Sequence, residues 1–307
     1  MQIGISNCCF GRRCPVEDDF RIMNEIGISY TEINLRPGWF DICDTGSIKN
    51  VIGWTGKYGL KIHSVHGPSG FPGISPVYGY SGFDDWIANP DPDERNKALK
   101  TRKKCIDIAS LLGAGYFIIE YECYYKWPFW PHGSVPQAEY PESFALWKQS
   151  TDELVKYASE RKIKTAIENI DGFACSSIAE YVKNAGTDMI GVCFDTSHAS
   201  YGDFFMNFDQ LRSYMITTHI SDNDGSSSNG WTDRHWMPFR GSIDWDSFIK
   251  QLIENAYTGV LMLELDRSCD ITTAEMSECI NRLRAAVNKY LKISNNMLWD
   301  PDAVGHL

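Results

Sequence analysis

Polar side chains that could bind a metal end four short apolar segments in the second half of the chain. Glu168 and Asp195 end two of these segments, and His219 and Glu264 end two more. A carboxylate directly after a buried strand is costly unless something pairs with it. Three carboxylates and one imidazole brought together would repel one another without a cation between them, and this oxygen-rich set suits Mn²⁺, Co²⁺ or Mg²⁺ better than a structural zinc. The four residues therefore predict one divalent metal ion, with Mn²⁺ favoured and Co²⁺, Mg²⁺ or Zn²⁺ as alternatives.

Each of the four residues also has an ordinary structural interpretation when it is taken alone. Glu168 or Glu264 could form a salt bridge with an arginine at the rim of the fold. Asp195 could cap the following helix, and His219 could be a hydrogen-bonded core histidine. One shared metal explains all four positions at once, whereas the structural interpretations require four separate coincidences.

The order of the predicted elements would place these side chains at one end of a barrel. Short β-rich apolar segments alternate with amphipathic segments, which is typical of repeated βα units. Eight strands are predicted, at Ile3–Cys8, Tyr30–Leu35, Lys61–His66, Tyr116–Glu120, Lys164–Glu168, Ile190–Asp195, Met215–His219 and Val260–Glu264. With a last helix at about Thr273–Leu291, the pattern predicts one (β/α)8 TIM barrel domain over about 1–291 and a C-terminal tail over 292–307.

Three long loops are predicted after strands three, four and seven, at 67–90, 121–141 and 221–242. In a (β/α)8 barrel these loops lie at the C-terminal face, which holds the active site. The first two are rich in aromatic residues, whose faces stack on sugars, so they favour a small polyol substrate under a roof of loops. The same composition is compatible with a homo-oligomer interface.

Composition and charge exclude several other classes of protein. The chain has 29 Lys+Arg against 40 Asp+Glu, a formal net charge of −11, which is opposite to the charge expected of a nucleic-acid binder. No apolar run approaches the ~20 residues that cross a membrane, and the N-terminus lacks the pattern of a signal peptide. We expect a cytoplasmic protein with neither a nucleic-acid nor a membrane partner.

Several short motifs occur in a fixed order through the second half of the chain. They are Ile-Glu168-Asn, Phe-Asp195-Thr-Ser-His198, His219-Ile-Ser-Asp222, Asp233-Arg-His235-x-x-Pro238, Gly-Ser-Ile-Asp244-Trp245 and Leu-Glu264-Leu. Together they resemble the xylose isomerase-like TIM barrels, a superfamily that includes sugar-phosphate isomerases and epimerases, ketose 3-epimerases, inosose dehydratases and apurinic endonucleases. The first half agrees in element order and in Ser64-Val-His66-Gly-Pro.

The resemblance implies roles for particular residues. Glu168, Asp195, His219 and Glu264 would bind the metal, Glu168 and Glu264 would also form the acid/base pair, and His198 would help to hold the substrate. Separately, three residues expected on mouth loops could bind substrate hydroxyls or a phosphate; they are His66, His235 and Arg240. Loop structure or a subunit contact is the alternative for these three, and for Arg240 it is an equally good interpretation.

The predicted function is metal-dependent isomerisation or epimerisation of a sugar, sugar acid or cyclitol. Proton abstraction beside a carbonyl builds negative charge on oxygen, and a metal stabilises the enediolate that results. A lyase on the same site, a zinc phosphodiesterase and a non-catalytic sugar-binding barrel are the alternatives. The phosphodiesterase is disfavoured by the net charge and by Glu120-Tyr-Glu122, which replaces a zinc-binding histidine of the endonuclease members at the fourth strand.

Overall fold

The structure is a computed structural model that describes residues 1–11, 14–35, 44–68, 86–123, 141–170, 174–200, 202–225, 234–265 and 271–298. The greater part of the first two predicted long loops, 67–90 and 121–141, lies outside these ranges, as do residues 226–233 of the third loop, which include Asp233. The proposed roof over the pocket therefore stays a prediction. In the described ranges, no helix is long and apolar enough to cross a membrane.

Eight parallel strands close into a barrel in sequence order, each pairing with the next and the last with the first. They are β1 Gln2–Ser6, β2 Tyr30–Asn34, β3 Lys61–His66, β4 Tyr116–Glu120, β5 Lys164–Glu168, β6 Ile190–Asp195, β7 Met215–Ile220 and β8 Val260–Leu263. The predicted (β/α)8 architecture is confirmed. The largest boundary error is the end of β1, at Ser6 rather than Cys8, because Asn7–Phe10 form a 3-10 helix that is followed by Gly11 with φ of 118°. The start of β1 and the ends of β2, β7 and β8 differ from the predicted ones by one residue.

Helices connect the strands around the outside of the barrel. In the described ranges they are α1 Glu17–Glu25, α2 Thr45–Tyr58, α3 Pro92–Leu112, α4 Pro141–Ser159, α5 Cys175–Asn184, α6 Thr196–Ala199, α7 Phe204–Leu211, α8 Trp245–Glu254 and α9 Thr273–Leu298. The predicted cap of α8 is confirmed, since the Asp244 side chain accepts a hydrogen bond from the Ser247 amide. The last helix continues past the predicted end, Leu291, to Leu298.

A small apolar cluster inside the barrel forms the floor of the candidate site. Ile118, Ala166 and Cys193 are fully buried and pack together, apart from the main core between strands and helices. Side chains two residues apart on a strand share a face. Glu120, Glu168 and Asp195 each follow a member of this cluster by two residues, so three acidic side chains stand on the same face directly above it.

A buried ion pair joins the end of β4 to the outer helical layer. Glu122 and Arg102 of α3 are both fully buried, and Arg102 Nη2 lies 2.5 Å from Glu122 Oε1. The other carboxylate oxygen accepts a hydrogen bond from the Ile87 amide. Because removing one partner leaves an uncompensated buried charge, this pair is structural and separate from the acidic residues inside the barrel.

Candidate metal and active site

The structure brings Glu168, Asp195, His219 and Glu264 together at the C-terminal end of the barrel. All four are buried, and one ligand atom from each lies within 4.8 Å of the others. Each side chain sits at or beside the last residue of its strand, on β5, β6, β7 and β8. Since parallel strands of a barrel end at the same face, four separate positions in the sequence converge on one point.

His219 lies at the centre of this group. Its Nδ1 is 3.0 Å from Glu168 Oε1 and 3.1 Å from Glu264 Oε2. On the opposite edge of the ring, Nε2 is 2.9 Å from Oε2 of Glu32, a residue of β2. The Nδ1 edge thus faces two of the proposed metal ligands, and the Nε2 edge faces away from them.

The two carboxylate oxygens of Asp195 have different surroundings. One caps a helix, and the other is the candidate metal ligand. Oδ1 accepts a hydrogen bond of 2.8 Å from the His198 amide and caps α6. Oδ2 is buried and has no hydrogen-bond partner in the described part of the chain. The Asn169 side chain fixes the Asp195 backbone on both sides, because its Oδ1 accepts from Asp195 N and its Nδ2 donates to Asp195 O.

His66 extends the cluster at the end of β3. Its Nδ1 lies 2.7 Å from the Gly67 carbonyl oxygen and donates to it, which directs Nε2 toward Glu168 Oε2 at 3.0 Å and Glu120 Oε1 at 3.7 Å. The ring stacks on His219 with centroids 5.5 Å apart. His66, Glu168 and His219 form a second group of atoms close enough to share a cation.

His198 and His235 lie on the other side of the site. His198 Nδ1 donates to the Asn169 carbonyl oxygen at 2.8 Å, and the two imidazoles meet edge to face with centroids 5.2 Å apart. His235 Nδ1 is 3.0 Å from the Glu264 carbonyl oxygen, and its backbone is held in the left-handed region at φ of 40°. These two histidines and Asp195 form a third group within reach of one cation.

Arg240 is not brought to this cluster. Its guanidinium lies 2.5 Å from Glu275 Oε1 of α9, and both side chains are about two-fifths exposed. The contact fits the alternative interpretation of Arg240 as part of the loop structure, because the salt bridge holds the guanidinium against α9. We leave Arg240 out of the proposed site.

Burial and the neighbouring carboxylates shift the pKa values of the central residues. Burial alone would lower the pKa of His219, but Cys193 and the carboxylates of Glu264, Glu32 and Glu168 raise it well above its usual range. Burial raises the pKa of Asp195 to about 6, against the opposing effect of His198. A protonated imidazole thus supplies positive charge among the carboxylates when no metal is bound.

The donor set fits a divalent cation. Three carboxylates and one imidazole nitrogen match the oxygen-rich sites of Mn²⁺, Mg²⁺ and Co²⁺. The buried Asp195 Oδ2 lacks a partner in the described ranges although it lies in this group, as expected of a ligand atom. Glu168, Asp195, His219 and Glu264 are the residues that would hold the ion.

Metal affinity should rise with pH between about pH 5 and about pH 8, because ligands must lose their protons before they bind. The pKa of Asp195 is raised to about 6 and that of His219 well above its usual range, so acid competes with the metal at both residues. Calorimetric titration of Mn²⁺ into the chelator-treated protein, in two buffers of different ionisation enthalpy, measures the protons released. An affinity that is independent of pH, with no proton release, would contradict this assignment.

Two acidic residues near the centre were missed or not given a role in the prediction from sequence. Glu32 is fully buried on β2 and contacts His219, and Glu120 is buried beside His66. The sequence does contain a signal that could have identified Glu32 as a site residue: a glutamate in the middle of a short β-rich segment needs a buried partner. Asp222 was quoted only as part of a motif, and the structure shows it accepting a 2.7 Å hydrogen bond from Trp245 Nε1.

The fold and these side chains define a TIM barrel with a buried, acidic site at the C-terminal ends of its strands. Residues 20–286 match the family of xylose isomerase-like TIM barrels, and the chain belongs to that family. The resemblance seen in the sequence motifs is thereby confirmed.

Several relatives of the chain have names that describe an activity or a bound ligand. The chain is 24% identical to fructoselysine 3-epimerase of Shigella flexneri over 279 residues, which is 84% of this chain and 87% of that protein. The crystal structure of a D-tagatose 3-epimerase-like protein is 20% identical and matches with a TM-score of 0.72 over 97% of this chain and 100% of that one. The structure of the IolI protein with a bound zinc atom is 17% identical, with a TM-score of 0.71 over 94% of this chain and 99% of that one.

Proposed function

We propose that the chain is a divalent-metal-dependent sugar epimerase or isomerase that works by proton transfer at the carbon beside a carbonyl. The observation that carries this proposal is the position of Glu168 and Glu264. Both carboxylates contact His219 Nδ1, at 3.0 and 3.1 Å, within one buried set of metal ligands. The site thus holds two candidate proton carriers among residues that could hold a divalent ion, and such an ion would supply a Lewis acid.

Glu168 and Glu264 have the chemistry that inversion of a carbon requires. One carboxylate accepts the proton from the carbon, and the other, carrying a proton, delivers it to the opposite face. A divalent ion held by the four ligands would stabilise the negative charge that develops on the substrate oxygens.

The histidines around the acidic centre are suited to holding a polyol. His198 donates Nδ1–H to the Asn169 carbonyl oxygen, which orients the ring so that Nε2 is the nitrogen proposed to contact substrate. His66 Nε2 lies 3.0 Å from Glu168 Oε2, so His66 holds one of the two candidate proton carriers in place. His235 lies against His198 on the same side. Fructoselysine 3-epimerase and the D-tagatose 3-epimerase-like protein are relatives whose names favour a ketose substrate with inversion at the carbon beside its carbonyl.

Turnover in heavy water tests the reaction. The Mn²⁺-loaded protein is incubated with ketohexoses, ketopentoses, fructosamine-type adducts, inososes and ketose phosphates, and the products are followed by proton NMR and mass spectrometry. We expect solvent deuterium on the carbon that is inverted or oxidised. Turnover without solvent deuterium in substrate or product would exclude proton exchange with these carboxylates. A product lighter by one water would identify a lyase on the same site.

Zinc-dependent phosphodiester hydrolysis is the second candidate, and a specific observation favours it. Two further groups lie beside the central one, formed by His66, Glu168 and His219 and by Asp195, His198 and His235, so that the site has donors for more than one ion. Against this candidate stand the net charge of −11 and a glutamate, Glu120, at the end of β4. The number of metal ions per chain separates the two functions.

A further inference from the structure

Glu32 forms a buried network with His219 and a serine on the neighbouring strand. The carboxylate is fully buried, and its Oε2 accepts a 2.8 Å hydrogen bond from Ser64 Oγ of β3. The same oxygen lies 2.9 Å from Nε2 of His219, which is also fully buried. The network joins β2, β3 and β7 across the barrel, immediately beside the candidate metal ligands.

The position of Glu32 decides which nitrogen of His219 can bind a metal. A neutral imidazole carries its proton on one nitrogen and offers a lone pair on the other. An ionised carboxylate only accepts hydrogen bonds, so Glu32 stabilises the tautomer with the proton on Nε2. The lone pair then lies on Nδ1, which is the nitrogen that faces Glu168 and Glu264.

A purely structural role explains this carboxylate poorly. Burying a charged group is expensive, and an apolar side chain of similar volume would fill the space at lower cost. Among the described residues, hydrogen bonds reach only one of the carboxylate oxygens of Glu32, Oε2, from Ser64 and His219. The well-placed oxygen is the one that contacts His219.

We propose that Glu32 is a positioning residue that fixes the tautomer and orientation of His219 for metal binding, and that Ser64 in turn orients Glu32. This inference rests on the metal-dependent function proposed above. Glu32 contacts the Nε2 edge of the ring, opposite the edge that faces the other ligands, so it acts through His219 and not as a further ligand. A carboxylate in this position also increases the basicity of the imidazole, and losing such a partner typically weakens metal binding about 10–100-fold.

The test measures Mn²⁺ affinity of chelator-treated full-length protein by calorimetry and by the electron paramagnetic resonance signal of free Mn²⁺. We expect about 10-fold weaker binding for Glu32→Gln, which keeps an acceptor but loses the charge, and about 100-fold for Glu32→Ala. Ser64→Ala should weaken binding less than either. The matched control is Glu122→Gln, another buried carboxylate changed to an amide. It should lower the thermal unfolding midpoint without changing Mn²⁺ affinity.

A second readout reports the tautomer directly. Nitrogen-15 histidine spectra of the zinc-bound wild-type protein should show a proton on Nε2 of His219 and the metal on Nδ1, a pattern that a general packing effect would not produce. Metal on Nε2, or wild-type affinity in Glu32→Gln, would overturn the role of Glu32 and leave the proposed function standing. A wild-type protein that binds no divalent metal would overturn both. Glu32→Gln carries the affinity test if Glu32→Ala does not fold.

Discussion

Replacing Glu168 or Glu264 by glutamine should lower turnover by about 10²–10⁴-fold, the usual effect of losing a general acid or base. Glutamine keeps the shape and an oxygen that can face a metal, but it cannot take up a proton. Substrate binding should change much less than turnover, because the lost group acts mainly in the transition state. Steady-state kinetics with the substrate found in the heavy-water screen, at measured metal content, gives both quantities.

Isotope exchange separates the two carboxylates from each other. If each serves one face of the substrate, Glu168→Gln should still exchange solvent deuterium into one epimer, and Glu264→Gln only into the other. Epimerisation itself should be slow in both variants. Glu122→Gln is the matched control, since this buried glutamate lies outside the metal-ligand groups and should keep normal turnover below its unfolding temperature.

Two results would contradict the paired roles. Near-normal turnover in either glutamine variant would make that residue only a ligand or a structural carboxylate. Loss of exchange for both epimers in one variant, with full exchange for both in the other, would assign all proton transfer to a single base. Metal analysis of each variant accompanies the kinetics, so that loss of the ion is not mistaken for loss of a base.

The barrel could be predicted from sequence because its elements depend on local patterns. Strands such as Lys61–His66 and Ile190–Asp195 are short β-rich segments, and each is followed by an amphipathic stretch with its own cap or stop signal. The closure of parallel strands then fixes where their ends lie. Glu168, Asp195 and His219 could therefore be placed together without any knowledge of their contacts, because each is a polar residue at the end of a strand.

The contacts that cross the barrel could not be predicted in the same way. The pairing of β2 with β3 shifts its register between Thr31 and Glu32, and a shift of one residue reverses the face on which a side chain stands. The extra residue, His63, lies on β3, so the pairing that brings Ser64 opposite Glu32 depends on an irregularity that the β2 segment does not reveal. The position of Arg240 could not be predicted either, because its salt-bridge partner Glu275 is distant in sequence and belongs to α9.

Changing His219 to Ala should abolish binding of a single metal ion per chain. The imidazole Nδ1 lies 3.0 Å from Glu168 Oε1 and 3.1 Å from Glu264 Oε2, between two of the proposed ligands. Without it, three buried carboxylates would have to hold the ion in a site that has lost its central donor. Elemental analysis of protein purified without chelators should give about one ion per chain for the wild type and almost none for the variant.

His63→Ala is the matched control, because His63 is also a histidine on a barrel strand but does not belong to any of the candidate metal-binding groups. Its Nε2 lies 2.9 Å from Thr217 Oγ1, and burial lowers its pKa to about 4, so it stays neutral. This variant should keep its metal while losing some stability. Unchanged metal content in His219→Ala would exclude His219 as a ligand. Two or three zinc ions in the wild type, lost on changing His235 or Asp233 to Ala, would instead favour the hydrolase, because only a site with several ions would need those residues.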